Sequence, residues 1–74
     1  MNGLRRLRER QFLTQTQLAE RMGLDRYQTV SAWERGTARP RPAMMKRLCE
    51  ALQVTPDELL AALEEEENDR GDRN

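Results

Sequence analysis

Apolar residues recur along the chain at spacings of three and four, which is the period of a helix and not of a strand. The first such pair, Leu4 and Leu7, predicts a helix over about residues 3–11 with arginines on its other faces. Phe12 and Leu13 follow, and both are expected on the core side. The opening of the chain therefore reads as a short amphipathic helix that leads into the core.

Capping residues bound a second helix. Thr14 and Gln17 fit a capping box, in which a hydroxyl and an amide satisfy free backbone N–H groups. Gly23 supplies the left-handed residue that commonly follows the last turn of a helix. These signals predict a helix over about residues 15–22.

A third helix is predicted over about residues 26–35. Asp25 and Gln28 fit another capping box at its start. Val30 and Trp33 are three residues apart, so they share its inner face. A glycine follows its last residue and ends it.

Prolines mark the starts of the last two helices. Pro42 suits the first turn of a helix over about residues 42–52, and Thr55 followed by Pro56 opens one over about residues 56–65. The apolar residues expected on the inner faces of these helices are Met45, Leu48, Cys49, Leu52, Leu59, Leu60 and Leu63. The fold class predicted is therefore all-α, a compact bundle of five helices in a single domain over residues 1–66, and the acidic, polar residues 67–74 are expected to form a disordered tail.

The composition excludes several kinds of chemistry. The chain has one cysteine and no histidine, so it lacks the parts for a disulfide, a zinc site, or a Cys-His or Ser-His catalytic pair. No nucleophile–base pair, metal cluster or phosphate loop is present, and we expect no enzyme activity, no cofactor and no metal. Without an apolar run of about 18 residues, the protein is expected in the cytoplasm.

Charge is divided between the two halves of a chain whose formal net charge is zero. Residues 1–41 carry nine arginines and four acids, a balance of +5, and residues 42–74 carry four bases and nine acids, a balance of −5. Exposed charges farther apart than the Debye length, about 8 Å at physiological salt, are largely screened from one another. A locally basic surface can therefore attract a polyanion despite the zero total.

The third helix has a polar outer face. A helix that projects from a tight turn fits the major groove of DNA, where base edges present distinct donors and acceptors. Glutamine pairs well with adenine there, and tyrosine or alanine can contact a thymine methyl. Gln28 could instead be used in its capping box, and Tyr27 could pack against the first helix. The residues predicted to read bases are Arg26, Tyr27, Gln28, Ser31 and Ala32.

The segments LRRLRE, LTQTQLAERMG, VSAWERG, RPRP and VTPDELL follow one another in this order. With them, the chain resembles the Cro/phage-repressor type of helix-turn-helix domain (XRE-like, lambda-repressor-like) from about Leu4 to Leu63. The resemblance implies that Trp33 and Glu34 are structural, and that Gln15 contacts a phosphate and supports the third helix. Phosphate contacts are expected from Thr14, Gln15, Arg35, Thr37, Arg39 and Arg41, and a dimer contact from Leu59, Leu60 and Leu63.

The chain departs from that family at two instructive places. Seven residues separate Gly23 from Val30 where six are usual, so either the turn is longer or the helix starts early, on Asp25. Gln53 stands where the family often has a glycine, and a positive φ there would cost about 1 kcal/mol.

The function predicted is a sequence-specific DNA-binding transcriptional regulator, repressor-like, that acts as a homodimer on a palindromic operator in double-stranded DNA. The alternative is a protein-interaction module of the antitoxin type. Arg5, Arg6, Arg8 and Arg10 are expected to form a solvated helix face, with one or two near phosphate as the other interpretation. The acidic tail could remain solvated, or could fold back and compete with DNA for the basic face.

Overall fold

The computed structural model describes residues 2–65, and within them it has helices and no strand. The five helices are α1 (Leu4–Arg10), α2 (Gln15–Arg21), α3 (Tyr27–Arg35), α4 (Pro42–Leu52) and α5 (Pro56–Glu64). The predicted all-α fold is confirmed, and each predicted helix boundary lies within one residue of the observed one. The tail predicted for residues 67–74 falls outside the described residues.

One apolar core receives side chains from every helix. Its fully buried members include Leu4, Leu18, Val30, Leu48, Leu52 and Leu59. Met45 and Cys49, both predicted to face inward, are half-buried at its margin. Leu60 was also predicted to face inward, and this prediction is wrong, because its side chain is exposed. Burial of apolar side chains stabilises such a core by roughly 0.8 kcal/mol per methylene.

Helices α2 and α3 end on the glycines predicted for them. Gly23 has φ 74° and Gly36 has φ 80°, both left-handed. In each case the following N–H turns back into the helix: Leu24 donates to the Ala19 carbonyl at 2.9 Å, and Thr37 donates to the Ala32 carbonyl at 3.0 Å. These bonds satisfy carbonyls that have no partner inside the helix.

Helix α4 ends in the same way on a residue that is not glycine. Gln53 has φ 58°, and the N–H of Val54 donates to the Cys49 carbonyl at 3.1 Å. The positive φ considered from the sequence is therefore confirmed. A residue with a Cβ is strained in this conformation because the Cβ crowds the neighbouring carbonyl.

Replacing Gln53 with glycine is expected to raise the free energy of unfolding by about 1 kcal/mol, since the Cβ clash disappears and the side chain is exposed. For a domain of this size, that corresponds to a rise in Tm of roughly 4–8 °C, measurable by circular dichroism. Gln53→Ala is the matched control because it keeps the Cβ, and it should leave the Tm nearly unchanged. Equal Tm values for the two variants would contradict the strain.

Phe12 corrects the sequence prediction that it enters the core. Its side chain is 93% exposed and its φ is 58°. The chain turns there so that Leu13 is buried and the Leu13 N–H donates to the Arg8 carbonyl at 3.3 Å. α1 thus ends like α2 and α4, and Phe12 is its residue in the left-handed conformation. The chain adopts this turn because it places Leu13 in the core.

The start of α1 is joined to the end of α5. The Gly3 N–H donates to the Ala62 carbonyl at 2.8 Å, and Arg6 forms an ion pair with Glu65 at 2.8 Å. The hydrogen bond from Arg6 lowers the pKa of the Glu65 carboxyl. Because this pKa is lower in the folded state, the pair stabilises the fold at neutral pH, and its contribution is lost as the pH falls through the folded-state pKa.

Arg8 departs from the solvated face predicted for the α1 arginines. Arg5, Arg6 and Arg10 are exposed, whereas Arg8 is buried and forms an ion pair with the fully buried Glu34. Arg8 stands at i+4 from Leu4 and i+1 from Leu7, on the inner stripe of α1. Its guanidinium also donates to the Leu13 carbonyl at 2.7 Å. The pair therefore links α1 to α3 and to the approach to α2.

Across residues 2–65, none of the helices has both the length and the apolar character needed to cross a bilayer.

Candidate nucleic-acid interface

The turn between α2 and α3 contains the extra residue noted in the sequence. α2 ends at Arg21 and α3 begins at Tyr27, and Arg26 before it is extended, with φ −139° and ψ 143°. The capping box predicted between Asp25 and Gln28 is wrong, because the helix starts after Arg26 and no side chain caps it. Of the two interpretations of the longer spacing, the structure has the longer turn.

The first turn of α3 presents polar side chains to solvent. Arg26, Tyr27 and Gln28 are exposed, and Tyr27 retains 46% of its accessible surface. Within residues 2–65, the side chains of these three residues form no hydrogen bond or ion pair. Ser31 and Ala32, one turn further along, are half-buried. Three of the five residues predicted to read bases are thus fully available, and two are partly covered.

The opposite face of α3 is fixed in the core. Val30 is 0% exposed and Trp33 is 4% exposed, as their spacing predicts. The amide of Asn2 donates to the Trp33 carbonyl at 2.7 Å, and the Asn2 N–H donates to the Glu34 carbonyl at 3.0 Å. A helix held this firmly on one side keeps its outer face in a constant orientation.

The beginning of α2 has the predicted capping box. The Gln17 N–H donates to the Thr14 hydroxyl oxygen at 3.0 Å, and the Thr14 N–H donates to the Gln17 amide oxygen at 2.9 Å. The Thr14 hydroxyl acts here as an acceptor, so its own proton remains able to bond an external acceptor. Gln15, half-buried beside it, donates from Nε2 to Glu34 Oε1 at 3.1 Å.

Three exposed arginines lie at the end of α3 and in the segment that follows it. Arg35, Arg39 and Arg41 have no ion pair within the described part of the chain. Thr37 is used differently: its hydroxyl lies 3.3 Å from the Ala32 carbonyl and donates to it. For the phosphate contact predicted for Thr37, that hydroxyl would have to rotate away, because a phosphate oxygen also needs a donor.

Some arginines of the N-terminal half are held in ion pairs, and others are available to bind an anion. Three α1 arginines are paired: Arg5 with Glu9, Arg6 with Glu65 and Arg8 with Glu34. The exposed arginines without an ion pair in residues 2–65 are Arg10, Arg21, Arg26, Arg35, Arg39, Arg41 and, beyond the N-terminal half, Arg47, which donates to the Met22 carbonyl. The available cations therefore belong chiefly to the two ends of α3 and the segment that follows it. In the same residues, no group of three acidic or cysteine side chains could hold a metal ion.

The residues predicted for a dimer contact do not share one environment. Leu59 is 0% exposed and Leu63 is 9% exposed, so both fill the core of a single chain. Leu60 is 42% exposed on the outer face of α5. Of the three, Leu60 is the one with substantial surface left to bury against a second chain.

Sequence reasoning missed two residues that position this surface. Asn2 holds the last turn of α3, and Arg8 neutralises Glu34. A signal for Arg8 was available, because it continues the i, i+3, i+4 stripe begun by Leu4 and Leu7. Asn2 precedes α1 and has no periodic pattern around it, so no comparable signal existed.

Comparison with known families gives one match. The model of a helix-turn-helix family, of Cro/C1 type, matches residues 4–59, about three quarters of the chain. Neither the curated proteins nor the solved structures contain a match to the chain. The matched range covers α1 to α4 and the beginning of α5. It includes every residue predicted to contact a base or a phosphate, whereas Leu60 and Leu63 lie beyond it.

Proposed function

Because the chain belongs to the Cro/C1-type helix-turn-helix family, whose domains bind double-stranded DNA, we propose that it is a sequence-specific transcriptional regulator of the repressor type. In this proposal α3 enters the major groove, and the surrounding polar and basic residues contact the phosphates. Phosphate contacts fix the register of a protein on the duplex, and base contacts select the sequence.

One observation carries the proposal: the first turn of α3 exposes Arg26, Tyr27 and Gln28, while Val30 and Trp33 anchor the same helix in the core. Side chains that are unpaired on a rigidly held helix are available to base edges without first breaking internal bonds. Gln28 can donate to and accept from adenine, and Arg26 can donate twice to guanine. Ser31 and Ala32, being half-buried, would be the deepest contacts.

The phosphate contacts would flank this helix. Thr14 and Gln15 lie at the start of α2. Arg35 is the last residue of α3, and Arg39 and Arg41 lie in the segment that follows it. The Thr14 hydroxyl proton and the three unpaired guanidinium groups are donors that suit phosphate oxygens. Thr37 would join them only after giving up its bond to Ala32.

We further propose that two copies bind a palindromic operator. A dimer of this kind would place its two reader helices roughly 34 Å apart, one turn of B-DNA, on one face of the duplex. Exposed Leu60 supports α5 as the contact, whereas Leu59 and Leu63 contribute by holding α5 in place. The lean core of a 74-residue domain would also gain stability from association.

Selection of bound sequences from random duplex DNA tests the proposal. We expect a palindromic motif with one-turn spacing between its half-sites. A single half-site would contradict the proposed dimer but would still agree with a sequence-specific regulator. Gln28→Ala is expected to relax the preference at one or two base pairs, by about 1–3 kcal/mol each.

The matched control for Gln28→Ala is Gln53→Ala, which removes an exposed glutamine from the end of α4 and should select the unchanged motif. Failure of the wild-type protein to enrich any sequence, even in dilute buffer, would refute the proposed function. An unchanged motif in Gln28→Ala would show that Gln28 does not read bases.

A further inference from the structure

A buried carboxylate stands directly behind the side chain proposed to bind phosphate. Glu34, in the last turn of α3, is 0% exposed, and its Oε1 accepts a hydrogen bond from Gln15 Nε2 at 3.1 Å. The same oxygen accepts from Arg8 Nη2 at 3.2 Å, and Oε2 accepts from Arg8 Nε. Glu34 therefore joins α1, α2 and α3 through one carboxylate.

The chemistry of that carboxylate determines which way the Gln15 amide faces. An ionised carboxylate can only accept hydrogen bonds, so Gln15 must turn its amino group, and not its carbonyl, toward Glu34. The amino group has two hydrogens, and the bond to Glu34 uses one of them. The other hydrogen remains a donor. A neutral amide in place of the carboxylate could both donate and accept, so it would no longer select one orientation of the Gln15 amide.

A phosphate distinguishes these two orientations. Its oxygens are acceptors, so they attract an N–H and repel a carbonyl oxygen. A glutamine that is free to rotate would lose binding energy in two ways, through the population of the wrong orientation and through the entropy of fixing the right one. Fixing the amide before DNA arrives removes both losses.

We propose that Glu34 is a positioning residue for phosphate binding, which orients the Gln15 amide so that an N–H is offered to the DNA backbone. Arg8 supports this role by neutralising Glu34 in the interior and by donating to the Leu13 carbonyl at 2.7 Å, directly before the start of α2. The inference rests on the proposed function, because it assigns a mechanism to one of its phosphate contacts.

The same carboxylate also fixes the distance between two phosphate contacts. Glu34 precedes Arg35 in the sequence, and it holds the side chain of Gln15, the first residue of α2. A rigid link between Gln15 and the backbone of Arg35 would hold two of the proposed phosphate contacts at a constant spacing. Positional precision of this kind depends on supporting hydrogen bonds behind the residues that touch the ligand.

The role of Glu34 can be tested by replacing single phosphates of the DNA with uncharged methylphosphonates. The probe is the duplex chosen by the selection, with one methylphosphonate placed at each backbone position in turn. Wild-type protein should lose roughly tenfold or more in affinity at the phosphate that Gln15 contacts, as for a hydrogen bond to a charged group. Gln15→Leu and Glu34→Gln should both lose that local sensitivity and keep the sensitivity at phosphates contacted by arginines.

Two controls separate positioning from general damage. Glu20→Gln removes the same charge from an exposed position on α2 and should keep the complete wild-type profile. Glu34→Gln leaves Arg8 without its charged partner and is expected to destabilise the fold. The substitution is therefore made in the stabilised Gln53→Gly protein, and the folded fraction of this double variant is measured in the binding buffer. The Gln53→Gly protein alone is the reference for affinity.

A second measurement needs no DNA. In the wild-type protein, the Gln15 amide hydrogen that faces Glu34 should exchange slowly and resonate downfield in a ¹⁵N-edited NMR spectrum, and in Glu34→Gln both features should disappear. An unchanged amide, an unchanged methylphosphonate profile, or an equal loss at every phosphate would overturn the positioning role. If wild-type protein binds no duplex, the proposed function fails as well. If it binds duplex DNA but the methylphosphonate profile differs from the expected one, only the role of Glu34 is refuted.

Discussion

Replacing Glu34 with alanine is expected to lower the free energy of unfolding by about 3–5 kcal/mol, because it leaves the buried Arg8 without its charged partner. A loss of that size is a large part of the roughly 5–15 kcal/mol that holds a domain together. Gln15 and the Arg8 guanidinium would each lose a hydrogen-bond acceptor as well. Urea denaturation followed by tryptophan fluorescence measures the effect, since Trp33 is the neighbouring residue and is buried.

Two further variants show whether the loss comes from the unpaired charge. Glu9→Ala breaks the exposed pair with Arg5 and should cost less than about 1 kcal/mol, since water replaces the lost partner. The double variant Arg8→Met with Glu34→Leu leaves no charge behind and should recover most of the stability lost in Glu34→Ala. If Glu34→Ala costs no more than Glu9→Ala, the buried pair does not have the structural role described above.

Salt is expected to weaken operator binding steeply. With about five phosphates neutralised by each subunit, the slope of log K against log salt should approach roughly −9 for a dimer, because each neutralised phosphate releases counterions. Affinity should then fall by roughly 10⁵ between 50 and 200 mM salt. The cations available for these contacts are the unpaired ones around α3, including Arg26, Arg35, Arg39 and Arg41. Fluorescence anisotropy over a salt series gives the slope.

Charge-matched variants identify which cations contribute. Arg39→Gln should reduce the steepness by about 1 for each subunit and should weaken binding to all sequences equally. Lys46→Gln removes the same charge from α4, in the acidic half of the chain, and should leave the slope unchanged. A wild-type slope close to zero would exclude DNA binding by phosphate contacts.

The number and the limits of the helices followed from local chemistry. Thr14 begins a helix with the predicted capping box, Thr55 caps the helix that it was predicted to start, and Gly23 and Gly36 take the left-handed conformation predicted for them. Such signals act within a few residues, so they can be read without knowing the tertiary structure. Val30 and Trp33 were placed correctly for the same reason, because helix periodicity alone puts them on one face.

Two of the wrong local predictions came from competition with tertiary packing. Phe12 is apolar and was expected inside, but burial of Leu13 needs a left-handed residue before it, and that turn directs the phenylalanine into solvent. Asp25 and Gln28 had a suitable spacing for a capping box, but the extra residue in the turn leaves Arg26 extended and moves the helix start to Tyr27. Residue type and spacing do not contain this information.

The supporting part of the candidate site was the hardest to predict, because its members are far apart in the sequence. Arg8 and Glu34 are separated by 26 residues, and Gln15 and Glu34 by 19. Composition and periodicity describe neighbours, so they could suggest that Arg8 faces inward but not which acid it meets. The exposed residues of α3 needed no such partner, which is why Arg26, Tyr27 and Gln28 could be proposed from the sequence.

The contact between α1 and the end of α5 means that the helices could be connected in a different order along the chain and still pack in the same way. Since the Gly3 N–H lies 2.8 Å from the Ala62 carbonyl, residues at the two ends of the bundle are already neighbours. A circular permutation that joins these ends through a short linker, and reopens the chain between α3 and α4, would retain every packing surface of the bundle. The helix proposed to read DNA, α3, would then be the last helix of the permuted chain. In the original order, domains fused before residue 2 and after residue 65 would lie next to each other.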